Sequence, residues 1–345
     1  MIAGQHYTGQ DMQQRQIGPF RVSAIGFGCM NVSMGYGPRI ADEDSGRLFN
    51  AALDQGYSFL DTASLYGIGH NESLIGKYLA ARRDEYTLAS KCGFSRKEDG
   101  KTVMDGRPEV LKQTCEDSLR RLNTDSIDLY YLHRIDPAVA IEESVGALAQ
   151  LVEAGKIRTI GLSEISANSL RRAHAVHPIT AVQSEYSLWT RTPERKILST
   201  CRELDIAFVP FSPLARQFLT GKCRDVTTVD EDDIRASIAR PRFEPENFTR
   251  NEKLLIPFAE IAKRQGCSMA QLALAWLLAQ GSNIVPIPGT KHMDWMIENA
   301  GAGEITLDAA TVDELDRLIN EDTVAGYRYT DALMASTDSE KDWVR

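Results

Sequence analysis

Four side chains within the first 133 residues could together deliver a proton to a carbonyl oxygen. Asp61 closes the apolar run Phe59-Leu60-Asp61, and Tyr66 follows five positions later in the small-residue loop Thr62-Ala63-Ser64-Leu65. Lys91 closes Tyr86-Thr87-Leu88-Ala89-Ser90-Lys91, and His133 closes Ile127-Asp128-Leu129-Tyr130-Tyr131-Leu132-His133. A phenol with a pKa of about 10 donates poorly at neutral pH, and a nearby ammonium lowers that value by favouring phenolate. Lys91 could supply the ammonium, Asp61 could hold it charged, and the His133 N–H could orient a substrate oxygen. A tyrosine with a cationic neighbour suits reversible carbonyl reduction, since one group donates in one direction and accepts in the other. No side chain delivers hydride, so a nicotinamide or flavin is implied. Taken singly, each residue also reads as a cap, loop packing, a solvated charge or a core imidazole. Their joint placement at the ends of successive strands carries the reading.

What must position them is an alternation of short apolar runs and amphipathic helices. Strands are expected at residues 24–28, 57–61, 86–91, 127–133, 157–162, 180–183, 207–210 and 283–287. Most are apolar throughout, as suits strands buried on both faces of a parallel sheet. Helices are expected at 43–55, 72–82, 108–122, 141–154, 167–175 and 193–204. Gly56 and Gly155 supply stop signals, and Pro108 and Pro193 suit first turns. Eight such units imply a closed (β/α)8 TIM barrel or a doubly wound open sheet. The barrel is favoured because the reactive residues end strands two, three and four, on the face where barrels build sites. The first strand–helix turn, Gly26-Phe27-Gly28-Cys29-Met30-Asn31, lacks the third glycine of a Rossmann fingerprint. An N-terminal β-hairpin is expected at 12–23, around Gly18-Pro19, with extra helices near 252–265, 269–279 and 307–319. The irregular, charged stretch 211–249 reads as a flap over the barrel mouth, because loops this long are usually functional. Residues 1–11 read as a loose extension, 12–323 as one domain and 324–345 as a tail.

The 345-residue chain carries a net charge of −9, which argues against a nucleic-acid surface. Its six cysteines are scattered without a C-x-x-C pair, as expected of reduced thiols. No window reaches the roughly 18 uninterrupted apolar residues of a membrane span, and the N-terminus lacks a secretory pattern. A cytoplasmic protein without membrane or nucleic-acid partners is therefore expected. His174 and His177 have ligand-like spacing on a polar helix, where surface histidines are the commoner reading; no metal is expected.

With these residues in view, the chain resembles the aldo-keto reductases from about Met12 to Asn320. The motifs Gly-Phe-Gly-Cys-Met (26–30), Phe-Leu-Asp-Thr-Ala-Ser-Leu-Tyr-Gly (59–67), Ala-Ser-Lys-Cys-Gly (89–93) and Asp-Leu-Tyr-Tyr-Leu-His (128–133) carry the resemblance. So do Ile-Gly-Leu-Ser-Glu (160–164), Gln-Ser-Glu-Tyr-Ser-Leu-Trp-Thr-Arg (183–191), Phe-Ser-Pro-Leu-Ala-Arg (211–216) and Ile-Pro-Gly-Thr-Lys (287–291). The style is that of the longer bacterial and plant branch, distantly similar to potassium-channel β subunits. The resemblance implies a tetrad of Asp61, Tyr66, Lys91 and His133, with Tyr66 as general acid and NADP(H), rather than NAD(H), as hydride carrier. It implies cofactor contacts from Gly28, Cys29, Met30 and Asp61 near the nicotinamide, and from Ser163, Glu164 and Gln183 at its carboxamide. Phe211 offers a stacking face. Ser212, Pro213, Leu214, Arg216 and Lys222 would clamp the pyrophosphate. Gly289, Thr290, Lys291 and His292 would meet the 2′-phosphate at a helix start, and Glu298 and Asn299 the adenine. Asn31, Phe94, Arg134 and Trp189 are candidates for contacting a small-molecule carbonyl or alcohol substrate.

Three positions depart from the family pattern. Glu164 stands where many members have Asn, Gln217 where the loop has Gly, and Trp295 where many have a phosphate-gripping Arg. Lys291 and His292 are then left to hold the 2′-phosphate. Two other readings stay open on sequence: a slow-turnover, redox-sensing nucleotide module resembling the channel β subunits, and a barrel lyase using Lys91 as a Schiff base.

Overall fold

Among the described residues, seven short strands run parallel around a common axis. The computed structural model describes residues 12–223, 229–230 and 232–342. A hairpin, β1 (Gln14–Ile17) with β2 (Phe20–Ser23), precedes β3 (Phe27–Gly28), β4 (Phe59–Asp61) and β5 (Thr87–Cys92). A second hairpin, β6 (Phe94–Arg96) with β7 (Thr102–Met104), was not expected from sequence. Then follow β8 (Ile127–Leu132), β9 (Ile157–Ser163), β10 (Ile179–Glu185) and β11 (Ala207–Phe211). Neighbouring strands of the parallel sheet come in the order β11-β10-β9-β8-β5-β4-β3.

The expected eighth strand closes the ring as an extended segment rather than a regular strand. Val285 N and Ile287 N donate to Phe208 O and Pro210 O on one side, at 2.9 and 3.1 Å. On the other side Gly26 N and Gly28 N donate to Pro286 O and Pro288 O, at 2.9 and 3.2 Å. Two prolines have no N–H to return to β3, so the ladder on that edge is half made. The fold is a (β/α)8 barrel.

Two apolar layers hold it. Inside the ring, Phe59, Ala89, Leu129, Ala181, Ala207, Val209, Val285 and Ile287 form one cluster, plugged from below by Ile17, Phe20 and Val22 of the hairpin. Outside it, strand residues such as Leu60, Leu88, Tyr130 and Leu162 pack with the helices. Side chains alternate along a strand, so Phe59 and Asp61 share the inner face, as do Ala89 and Lys91, Leu129 and Tyr131, and Ala181 and Gln183. Each strand thus places an apolar residue low in the barrel and its polar partner one layer higher, toward the C-terminal rim. A Cβ on Gly161 would lie 2.3 Å from the Tyr131 ring, so glycine is what lets that ring sit inside the barrel.

Helices Asp42–Asp54, His70–Leu79, Pro108–Leu122, Ile141–Glu153, Ala167–Val176 and Ile197–Glu203 surround the barrel, within a few residues of their expected bounds. Met269–Ala279 and Met293–Ala300 complete the ring of helices. Part of the expected flap, residues 224–228 and 231, lies outside the described residues, as do 1–11 and 343–345. The rest of the flap contains helices Arg240–Phe243 and Pro245–Glu252. The tail, which sequence left undecided, straps the mouth: Asp338 and Asp342 accept from Ser166 N and Ala167 N at 2.8 and 2.9 Å. Among the described residues no helix is long and apolar enough to cross a membrane.

Candidate active site

The four residues read first from the sequence converge at the C-terminal rim. Lys91 Nζ donates to Asp61 Oδ1 at 2.5 Å, to the Thr62 carbonyl at 2.8 Å and to the Tyr66 hydroxyl at 3.2 Å. Gln183 Nε2 donates to the other Asp61 oxygen at 2.7 Å. Both carboxyl oxygens therefore act as acceptors, which marks Asp61 as a carboxylate although burial pushes its pKa upward against Lys91 and Gln183. Burial also works against the Lys91 charge, but the Asp61 carboxylate and Tyr66 more than reverse it and hold the ammonium protonated. With Lys91 and Asp61 both almost completely buried, this is an ion pair inside the barrel.

Tyr66 differs from the sequence expectation in its electrostatics. Burial raises the phenol above its ordinary pKa, and Lys91, pulling the other way, does not overcome it. The hydroxyl is protonated at neutral pH, the state a donor needs. The His133 ring stands edge-on to Tyr66, with centroids 5.8 Å apart, and its Nδ1 is buried without a partner. Burial, then Arg134, then Lys91 push the imidazole well below its usual pKa, so it is neutral.

These groups open on a cavity of about 480 Å³, within the range of small-molecule and cofactor sites. Asp61, Tyr66, His133, Ser163, Gln183 and Phe211 line one end, and Lys222, Arg235, Lys291, His292, Trp295 and Glu298 line the other. Gly28, Met30, Asn31, Arg134, Ser212, Pro213, Leu214, Arg216, Gly289, Thr290 and Asn299 also face it. One end thus offers hydrogen-bonding groups around the Asp61 carboxylate and an aromatic face, the other Lys222, Arg235 and Lys291 beside Glu298. That donor set fits a dinucleotide bearing phosphates.

Four of the expected cofactor and substrate contacts do not line the cavity. Cys29 is buried, with its thiol directed at Phe27 O at 3.7 Å. Glu164 has its carboxylate engaged by Arg328 at 2.5 Å, by Ser339 Oγ at 2.9 Å and by Glu185 N at 2.9 Å. Phe94 packs edge-on against His133 from behind the lining, and Trp189 is stacked on Phe218 at 4.0 Å between centroids. The cations of the lining have protein partners of their own, Lys222 with Glu298 at 3.2 Å and Arg235 with Asp233 at 2.7 Å among them. Arg216 donates to Glu185 at 2.7 Å, and Lys291 Nζ to the carbonyls of Tyr36 and Pro38 at 2.8 and 2.7 Å. Gln217, standing where the family has glycine, takes the left-handed backbone that glycine would (φ 78°), and Arg235 donates to its side chain at 2.8 Å. Ala215 and Arg216 share that conformation, at φ 51° and 55°. Three consecutive non-glycine residues in this region mark a loop whose shape is imposed by its surroundings.

The cavity also uses residues that sequence reasoning missed. Tyr36, flanked by Gly35 and Gly37, lines it together with Met34, Leu65, Ile234, Ile238 and Tyr329. The paired glycines around Tyr36 were the available signal; the tail position of Tyr329 carried none. His174 and His177 lie away from the cavity, each bonded to nearby backbone.

Comparison with known proteins gives the family. The family model described as Aldo/keto reductase family matches residues 24–320. The chain belongs to the aldo/keto reductase family. It is 42% identical over 331 residues to probable aldo-keto reductase 1 of Glycine max, covering 93% of this chain and 94% of that protein. It is 43% identical over 321 residues to the aldo-keto reductase yakc [NADP(+)] of Schizosaccharomyces pombe, covering 91% and 94%. Among solved structures, an aldo/keto reductase from Klebsiella pneumoniae in complex with NADP and acetate superposes with a TM-score of 0.69 at 25% identity. That match spans 93% of this chain and 99% of the other.

Proposed function

We propose that this aldo-keto reductase reduces aldehydes or ketones to alcohols with NADPH, with Tyr66 as the general acid. The observation that carries the reading is the Lys91 ammonium touching both Asp61 and the Tyr66 hydroxyl at the wall of a cavity lined by groups suited to a dinucleotide. The cofactor would be held by Ser163 and Gln183 at the carboxamide, Phe211 against the nicotinamide, the 212–216 loop at the pyrophosphate, and Lys291 and His292 at the 2′-phosphate. It supplies the hydride. Tyr66 donates its hydroxyl proton to the carbonyl oxygen as negative charge develops there, and Lys91 stabilises the phenolate left behind. Asp61 keeps Lys91 charged and, through Gln183, fixed. Neutral His133 offers an N–H to the same oxygen. Relatives and neighbours whose names include NADP support the choice of cofactor.

The lyase reading loses ground on geometry. Lys91 is fully buried, protonated and satisfied by three acceptors, so it has no lone pair to attack a carbonyl. Fluorescence titration with NADPH and NADH, followed by a panel of aldehydes and ketones, tests the proposal. Saturable NADPH binding with multiple turnovers supports it; binding without turnover on any carbonyl would favour a nucleotide-sensing module.

A further inference from the structure

Arg216, Lys222 and Arg235 each meet the cofactor cavity with a carboxylate partner, and Lys291 is held there by two backbone carbonyls. Arg134 differs. It lines the tetrad end, directly after His133, and among the described residues no carboxylate lies within ion-pair range of it. Its Nη1 donates to the His133 carbonyl at 2.6 Å and to Ser163 Oγ at 3.1 Å, which fixes the guanidinium plane across the ends of β8 and β9. Those bonds use both hydrogens of Nη1. Nε and Nη2 donate to no group among the described residues, and neither is sealed away from accessible space. Together they form the edge of a guanidinium that takes a carboxylate through two parallel hydrogen bonds.

The place of that edge is set by what its charge reaches. Burial, then Arg134, push the His133 imidazole below its usual range; at Tyr66, where burial leads upward, Arg134 joins Lys91 in pulling down. The guanidinium thus stands close to both groups that would hold the reacting oxygen. Glu164 also lies within its field, but that carboxylate is taken up by Arg328, Ser339 Oγ and Glu185 N. The nicotinamide end of a dinucleotide carries no phosphate, and its neutral carboxamide suits Ser163 and Gln183. The cofactor therefore leaves the Nε–Nη2 edge of Arg134 unused.

We propose, on the strength of the reductase reading above, that the preferred substrates are carbonyl compounds carrying a carboxylate a few bonds from the carbonyl. Arg134 grips that carboxylate through Nε and Nη2 while the carbonyl oxygen meets Tyr66 and His133. Met30, Met34 and Leu65 in the same lining suit the carbons between the two groups. Arg134 is then the residue that sets specificity, distinct from the tetrad that performs the reduction.

The test compares 5-oxopentanoate with its methyl ester, two flexible aldehydes that differ chiefly by one charge, in the full chain saturated with NADPH. In the parent protein kcat/KM for the acid should exceed that for the ester by roughly tenfold or more, the factor expected of a hydrogen bond to a charged group. Arg134→Gln should bring the two values together, and Arg134→Lys should keep the acid ahead. The ratio decides, because the field of Arg134 at Tyr66 and His133 acts on both substrates alike. A measurement on the parent alone stands beside the variants: glutarate should compete with 5-oxopentanoate, and glutaramide should not. Equal kcat/KM for acid and ester in the parent, an undiminished preference for the acid in Arg134→Gln, or no competition by glutarate would overturn the proposal and leave the reductase reading standing. Turnover of neither aldehyde would overturn both.

Discussion

Replacing Lys91 with Met leaves the Asp61 carboxylate 1% exposed and without its cation. Removing one partner of a buried ion pair costs about 3–5 kcal/mol, because the remaining charge has neither water nor a counterion. Gln183 would still donate to Asp61 Oδ2 at 2.7 Å, which holds the loss toward the lower end of that range. The variant should also depend more steeply on pH than the parent does. Without Lys91, only Gln183 opposes the burial that raises the Asp61 pKa, so the folded value rises well above the unfolded value of about 3.9. A group whose folded pKa is raised contributes stability that is present at low pH and lost as pH rises through the folded pKa. Lys91→Met should therefore be closest to the parent near pH 5 and fall furthest behind by pH 8. Each tenfold rise in the proton affinity of Asp61 on folding accounts for about 1.4 kcal/mol of that difference. Urea unfolding of the parent, Lys91→Met, Asp61→Asn and the double variant at both pH values measures it. The double variant, with no buried charge, should be more stable at pH 8 than Lys91→Met. If Lys91→Met shows the same deficit at both pH values, or the double variant is the worse of the two, Asp61 and Lys91 are not a coupled buried pair.

Three further outcomes follow from the same geometry. Glu164 is held at a pKa of about 2, burial being overcome by Arg328 and Arg134, so it contributes stability above its unfolded value near 4.3 that is lost as pH falls toward 2. Glu164→Gln should flatten the decline of urea stability between pH 5 and pH 3; an unchanged slope would mean that Arg328 does not hold the carboxylate. Lys291→Ala should weaken NADPH roughly tenfold and leave NADH within about twofold, read by fluorescence titration, because only NADPH carries the 2′-phosphate. Trp295→Arg, beside Lys222 and His292 at the cationic end, should shift the ratio of affinities further toward NADPH; a shift toward NADH would place the 2′-phosphate elsewhere.

How much of this was legible beforehand depended on whether the signal was local. Asp61, Lys91 and Gln183 each stand two residues beyond an apolar inner-face neighbour, so strand periodicity alone puts them in one layer. Their convergence needed only the barrel. The eighth strand was located from its apolar residues, but Pro286 and Pro288 keep it from forming a full ladder. The tail was illegible because its residues are held by single long-range contacts, Arg328 on Glu164 and Asp338 on Ser166 N, across more than a hundred residues of sequence. Glu164 shows the same limit. The family resemblance implied a carboxamide contact, while its partners Arg328 and Ser339 lie in the tail. Tyr66 illustrates a balance of forces that residue types alone do not decide: an adjacent ammonium and burial act in opposite directions, and burial prevails.

The most direct test concerns Tyr66 itself. Single-turnover reduction of a reactive aldehyde by NADPH-loaded Tyr66→Phe, followed across pH, removes the proton donor and leaves the cavity otherwise intact. The rate should fall by about 10²–10⁴-fold, with NADPH affinity within a few-fold of the parent. A variant that retains most of its single-turnover rate would show that the proton comes from another group, and the assignment built on the Lys91–Tyr66 contact would be wrong.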